Sequence, residues 1–142
     1  MKQRIFLFLI CLIHALALFP KSADRFFSQY NFKFITENAG LPYSFVSDIF
    51  KDSGGYVWVS THYGIGRYDG YQFLNYGTQT EPIRLKNDFV HKICEDNFRR
   101  LWIASEGGID ILDLNTYALV KLPVPPDSPL QKLLNENVST IY

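Results

Sequence analysis

Cysteine is almost missing from this sequence: two residues in 142, Cys11 and Cys94. Cys11 lies in a leader-like start, so after export Cys94 has no partner and no disulfide framework can form within the mature chain. Beyond the leader there are only two histidines, His62 and His91. The ligand set of a structural zinc site is therefore incomplete, and neither a metal nor a cofactor is expected. A surplus of positive charge is lacking too. The formal net charge is zero, and without Lys2, Arg4 and Lys21 it becomes about −3. Nucleic acid needs a basic face and is not an expected partner. After Phe19 no second apolar run is long enough to span a membrane as a helix. No nucleotide-binding motif occurs, and no phosphotransfer is expected of this chain.

What is present can build a core, since 47% of the residues are apolar and 16% aromatic. The opening MKQRIFLFLICLIHALALFP sets two cations before an apolar run from Ile5 to Phe19, the layout of a secretory signal. Residues 1–23 are read as a signal peptide and the mature chain as periplasmic. Ala15-Leu16-Ala17 fits the small-residue cleavage rule, whereas cleavage after Ser22-Ala23 places Lys21 awkwardly.

The dominant feature is a repeat. Val57-Trp58-Val59-Ser60-Thr61 returns as Leu101-Trp102-Ile103-Ala104-Ser105, an offset of 44 that also carries Val46 to Val90, Asp52 to Asp96, Gly64 to Gly108 and Asp69 to Asp113. Asn137-Val138-Ser139-Thr140-Ile141-Tyr142 resembles the start of a third copy at an offset of 48. Each copy divides into four short runs rich in β-branched and aromatic residues, which are expected to be strands: 46–51, 57–61, 64–68 and 73–76, then 90–95, 101–105, 108–112 and 118–121. Four strands at this repeat length describe a propeller blade. Tyr30 to Phe34 alternates and reads as one further strand. Asp52-Ser53-Gly54-Gly55 supplies a tight turn. Its counterpart Asn97-Phe98-Arg99-Arg100 has no glycine, and Asn97 is expected to take the left-handed conformation there.

The fold expected is thus all-β: an incomplete β-propeller of two four-stranded blades, an N-terminal strand and the start of a third blade, preceded by a signal-peptide helix. Boundaries are drawn at 24–37 for the N-terminal strand segment, 38–80 and 81–125 for the blades, and 126–142 for a linker and the third start. About three repeats are needed before such units cover one another, so two blades alone are expected to be marginal and prone to aggregate.

Gly64-Ile65-Gly66 could be read as a phosphate loop. A strand and not a helix follows it, and Asp110 replaces Gly66 in the second copy, so a turn is the better reading. Trp58 and Trp102 read as inter-blade packing more readily than as a sugar platform. Asp52 and Asp96 could be a glycosidase-type pair, but equivalent turn positions argue for capping. His62 has no nucleophile or carboxylate placed near it, and His91 reads as structural. No catalytic residue is assigned. Ordinary propeller connectivity gathers the loops before each first strand and the turns between second and third strands on one face. Tyr43, Ser44, His62 and Tyr63 lie there with Asn87, Asp88 and Glu106. Tyr43, His62, Tyr63, Asn87 and Glu106 are the candidate ligand residues, because aromatic planes beside hydrogen-bonding groups suit sugars.

Taken together, Leu41-Pro42, Val46-Ser47-Asp48-Ile49, Asp52 to Gly55, Trp58-Val59-Ser60-Thr61, Gly64 and Arg67-Tyr68-Asp69 resemble the two-component regulator propeller repeat over residues 38–122. Departures are Ser60, Ala104 and Tyr63, where that family often has Gly. The resemblance implies the N-terminal part of a periplasmic sensor whose longer parent has more propeller blades, a membrane span and a histidine kinase. It also implies an oligosaccharide ligand and a homodimer. The alternatives are a piece of a propeller glycosidase or lyase, which needs acidic or His residues at the channel, and a non-signalling carbohydrate-binding scaffold.

Overall fold

The computed structural model describes residues 32–142, and the signal-peptide reading lies outside them. Eight strands form two four-stranded antiparallel meanders. The first comprises β1 (Val46–Lys51), β2 (Val57–Thr61), β3 (Gly64–Tyr68) and β4 (Phe73–Tyr76). The second comprises β5 (Val90–Glu95), β6 (Arg100–Ser105), β7 (Gly108–Asp113) and β8 (Ala118–Leu119). These are the two expected blades, and they share one compact unit, residues 35–142.

Alternation along each strand gives every blade two faces. Trp58, Ile65 and Tyr76 of the first blade pack with Ile93, Leu101, Ile103 and Leu112 of the second, and Ile83 and Leu85 of the connection complete the cluster. Burying each Leu or Ile there contributes about 1.5–3 kcal/mol. Polar bonds also join the blades. Asp48 accepts from Lys92 Nζ at 2.9 Å and from the Ile93 N–H at 3.0 Å. Ser47 Oγ donates to the Val90 carbonyl at 2.5 Å. At the opposite end Glu95 accepts from the N–H and Oγ of Ser53, both at 2.6 Å.

The outward faces are less well covered. Ile93 is 1% exposed, whereas its counterpart Ile49 is 66% exposed because no described strand backs the first blade. Beyond the second blade, Ile109 and Ile111 are covered by the chain that follows: Val120, Leu122, Val124, Leu134, Val138 and Ile141. A short helix, α1 (Pro129–Leu133), interrupts that segment. Ser128 caps it by accepting from the Gln131 N–H at 3.1 Å, and a proline starts it.

Several sequence expectations need correction. Residues 32–36 carry no strand, so the described part of the 30–34 strand is absent. Alternation makes a strand only where a neighbouring edge pairs its backbone, and no described strand does so here. Residues 137–142, read as the start of a third blade, carry no strand, although the Val138 N–H bonds the Ser105 carbonyl at 3.1 Å. β8 ends at Leu119 and not at Lys121; Pro123, which has no N–H to donate, follows closely.

In the turn before β6 the left-handed residue is Arg99 (φ 58°), not Asn97. Arg99 stands 44 positions after Gly55 (φ 95°), so both loops have one shape and the repeat register chooses the residue.

Candidate functional site

The hairpins between second and third strands are built alike. Thr61 Oγ1 donates to the Gly64 carbonyl at 2.9 Å and accepts the Tyr63 N–H at 3.0 Å. Ser105 Oγ does the same with Gly108 and Gly107, at 3.0 and 3.2 Å. Gly64 and Gly108 have φ of 90° and 105°, and a Cβ on either would collide with a backbone carbonyl, of Tyr76 or Leu134 respectively. Glycine is therefore fixed there, while position 63 keeps a negative φ and admits tyrosine. Two side chains, His62 and Tyr63, are held outward by this turn.

The loops preceding β1 and β5 bring the rest. Tyr43 and Tyr63 lie with ring centroids 4.8 Å apart. The His62 ring packs against two others, its centroid 4.3 Å from that of Phe45, tilted by 40°, and 3.6 Å from that of Phe89, stacked at 26°. His91 follows, 5.2 Å beyond Phe89. The result is a row, Phe45–His62–Phe89–His91, spanning both blades, with the tyrosine pair beside its first-blade end. Tyr63 is 66% and Phe45 57% exposed.

The polar candidates are placed on the same loops. Asn87 Oδ1 accepts the Phe89 N–H at 2.7 Å, shaping the loop that presents Phe89. The Glu106 N–H bonds the Phe89 carbonyl at 3.2 Å, and the Glu106 side chain is exposed. Asp88 is committed elsewhere: its carboxylate accepts the N–H and hydroxyl of Thr78, both at 2.7 Å. Ser44 is tied through its N–H to Glu37 at 2.7 Å.

Sequence reasoning missed Phe45 and Phe89, which complete the row, and set His91 aside. The signal was available: the two phenylalanines are equivalent positions, 44 apart, each directly before a first strand. His91 lies where pairing skips from Val90 to Lys92, a β-bulge matched by Ser47 in the first blade. Bulges re-aim side chains. Its Nε2 is buried without a hydrogen-bond partner.

The repeated aspartates and tryptophans lie outside this face. Asp52 and Asp96 each accept from the indole N–H of the following Trp, at 2.8 and 2.9 Å, and from turn N–H groups. They are buttresses of the β1–β2 and β5–β6 turns. Burial alone would raise the Asp96 carboxyl, but bonds from Arg100, the Trp102 indole and the turn N–H groups hold it at about 2. Among the described residues no group of three His, Cys, Asp or Glu side chains could hold a metal ion.

Residues 40–63 and 84–107 each match the family model described as two component regulator propeller. No curated protein matches the chain. Eleven chains of known structure do. One is the crystal structure of the extracellular domain of a B. thetaiotaomicron protein described as a one component system. It agrees at a TM-score of 0.54 and 25% identity, over 64% of this chain and 14% of that one. This chain thus spans a small part of the length of the structure that it resembles.

Proposed function

We propose that this chain, which carries two copies of the two component regulator propeller repeat, is part of the extracytoplasmic ligand-sensing region of a signalling receptor. The loop face is its recognition surface and an oligosaccharide its ligand. The matched family is one of regulators, not of enzymes, and the similar structure is an extracellular domain of a signalling system. Both support export of this chain as a sensor.

The observation that carries the ligand reading is the group of exposed rings Tyr43, Phe45 and Tyr63 at the first-blade end of the row. Rings with free faces stack on the C–H faces of sugars, and the polar loop groups around them answer hydroxyls. Binding would be read by further blades and by a histidine kinase or other output region of a longer parent, with dimerisation as the link. Calorimetric titration of the purified chain against a panel of oligosaccharides tests this. Saturable binding to at least one, weakened in Tyr63→Ala and Phe45→Ala, is expected; no binding to any sugar would overturn it.

A further inference from the structure

The fourth strand of the second blade is broken, and the break leaves a cavity. In the first blade β4 runs along β3 as far as Tyr76, whose carbonyl closes over Gly64. The repeat register makes Val120 the counterpart of Tyr76. The carbonyl that closes over Gly108 is nevertheless that of Leu134, which also accepts the Ile109 N–H at 3.1 Å. The Val120 N–H bonds the Ile111 carbonyl at 2.8 Å, residues 121–133 then leave the edge of β7, and the chain returns to it at the end of α1. Between departure and return lies a cavity of about 420 Å³ walled by Ile109, Ile111, Leu119, Leu122 and Leu134. That volume suits a small ligand.

Asp110 lines this cavity and is only 6% exposed. Ile109 turns its N–H and carbonyl outward, to Leu134 and to the Lys86 ammonium, so Asp110, next along the strand, turns its own toward Ile103 of β6. What Asp110 contributes to the cavity wall is therefore its side chain. Oδ2 accepts the Lys86 N–H at 2.9 Å, whereas Oδ1 has no partner in the protein and is not enclosed by it. No cation is paired with this carboxylate: the Lys86 ammonium spends its N–H groups on the carbonyls of Ile109 and Leu134, at 2.9 and 2.6 Å, and on Asn135 Oδ1 at 3.4 Å. A buried acid with an unused oxygen costs stability unless a donor reaches it. On the same cavity Lys121 is exposed and joins no ion pair among the described residues. The first blade supplies the comparison. Gly66 stands where the second has Asp110, and Pro42 and Phe73 take the space beyond it, which leaves no acid and no room for a ligand.

We propose that the break in the fourth strand is a binding site for a small aliphatic amino acid. Its ammonium donates to Asp110 Oδ1, its side chain lies against the isoleucines and leucines, and its carboxylate meets Lys121. An unpaired carboxylate selects a cationic donor, an unpaired ammonium selects an anion, and the apolar walls between them select the aliphatic body. The site is separate from the loop face, and the proposal does not depend on the oligosaccharide reading.

Calorimetric titration of the purified chain with L-leucine and L-isoleucine tests it, beside 4-methylpentanoate, which lacks the ammonium, and 3-methylbutylamine, which lacks the carboxylate. At least one amino acid is expected to bind saturably, and each analogue at least about tenfold more weakly. Asp110→Asn keeps an acceptor for the Lys86 N–H but loses the charge, and should weaken the amino acid by about tenfold or more; Lys121→Ala should weaken it by about threefold. Circular dichroism and thermal unfolding verify that each variant is folded. Absence of saturable binding by both amino acids would overturn the proposal. So would 4-methylpentanoate binding as tightly as L-leucine, or unchanged affinity in a folded Asp110→Asn.

Discussion

Asp52 Oδ2 accepts the indole N–H of Trp58 at 2.8 Å, and Asp96 repeats the bond with Trp102 at 2.9 Å. In each blade one carboxylate thus ties the turn between the first two strands to the largest side chain of the second. The two tryptophans differ in surroundings: Trp58 is fully buried against the second blade, while Trp102 is only partly covered. Trp58→Ala should therefore destabilise by about 3–5 kcal/mol, and Trp102→Ala by clearly less. Asp52→Ala should cost about 1–3 kcal/mol by orphaning the Trp58 N–H. Urea unfolding of the three variants provides the comparison.

Asp96 gives the second prediction. Its folded pKa, about 2, lies below the ordinary carboxylate value. The stabilisation it brings is complete above about pH 4 and drains away as pH falls toward its folded value. Unfolding midpoints of the wild type should fall over that interval more steeply than those of Asp96→Asn. Parallel curves would contradict the assignment.

Asp110 behaves in the opposite sense. Burial raises its carboxyl, against the opposing effects of the Lys86 N–H and ammonium. Ionisation is therefore unfavourable in the fold, and stability contributed by the neutral acid is lost as pH rises through its folded pKa. Asp110→Asn, which still accepts from Lys86, should raise the melting temperature at pH 7 and have little effect at pH 4.

Glycine substitutions should divide sharply. Gly64→Ala and Gly108→Ala meet both a left-handed φ and a carbonyl, whereas Gly70→Ala meets only the φ of 102° in open space. The first two should abolish soluble folded protein; the third should cost about 1–2 kcal/mol. Expression yield and circular dichroism distinguish them.

Much of the fold was legible because the repeat is exact in register. The first blade's strands follow the expected limits, and Trp, Asp and Gly recur where the same contacts recur. Where legibility failed, the cause was tertiary. Alternation at 32–34 and aliphatics at 137–142 need a partner edge to become strands, and local pattern alone does not reveal whether one is paired there. The helix at 129–133 was visible in Ser128-Pro129 but was hidden under the label of a linker. At the candidate site the loops were placed on one face by connectivity alone. The stacking of His62 on Phe89 crosses from one blade to the next, however, and no spacing within a blade reveals it.

The unequal exposure of Ile49 and Ile93 carries the last prediction. Ile93→Thr should destabilise by about 2–4 kcal/mol, by analogy with buried aliphatic truncations. Ile49→Thr should leave the melting temperature within about a degree or two and reduce self-association. Sedimentation at several concentrations, with thermal unfolding, tests both halves.

One departure from the repeat has a reach beyond its own position. In the first blade Gly66 leaves room for the Pro42 ring, where a Cβ would come within 2.9 Å. In the second, position 42's counterpart is Lys86, whose N–H bonds the carboxylate that stands in place of that glycine, Asp110, at 2.9 Å. Imino acid goes with hydrogen and amide goes with acid, so the blades have diverged by matched pairs. An averaged sequence that mixed one partner from each copy would set a ring against a carboxylate, or strand an amide beside an empty pocket; transplanting either blade means moving both residues together.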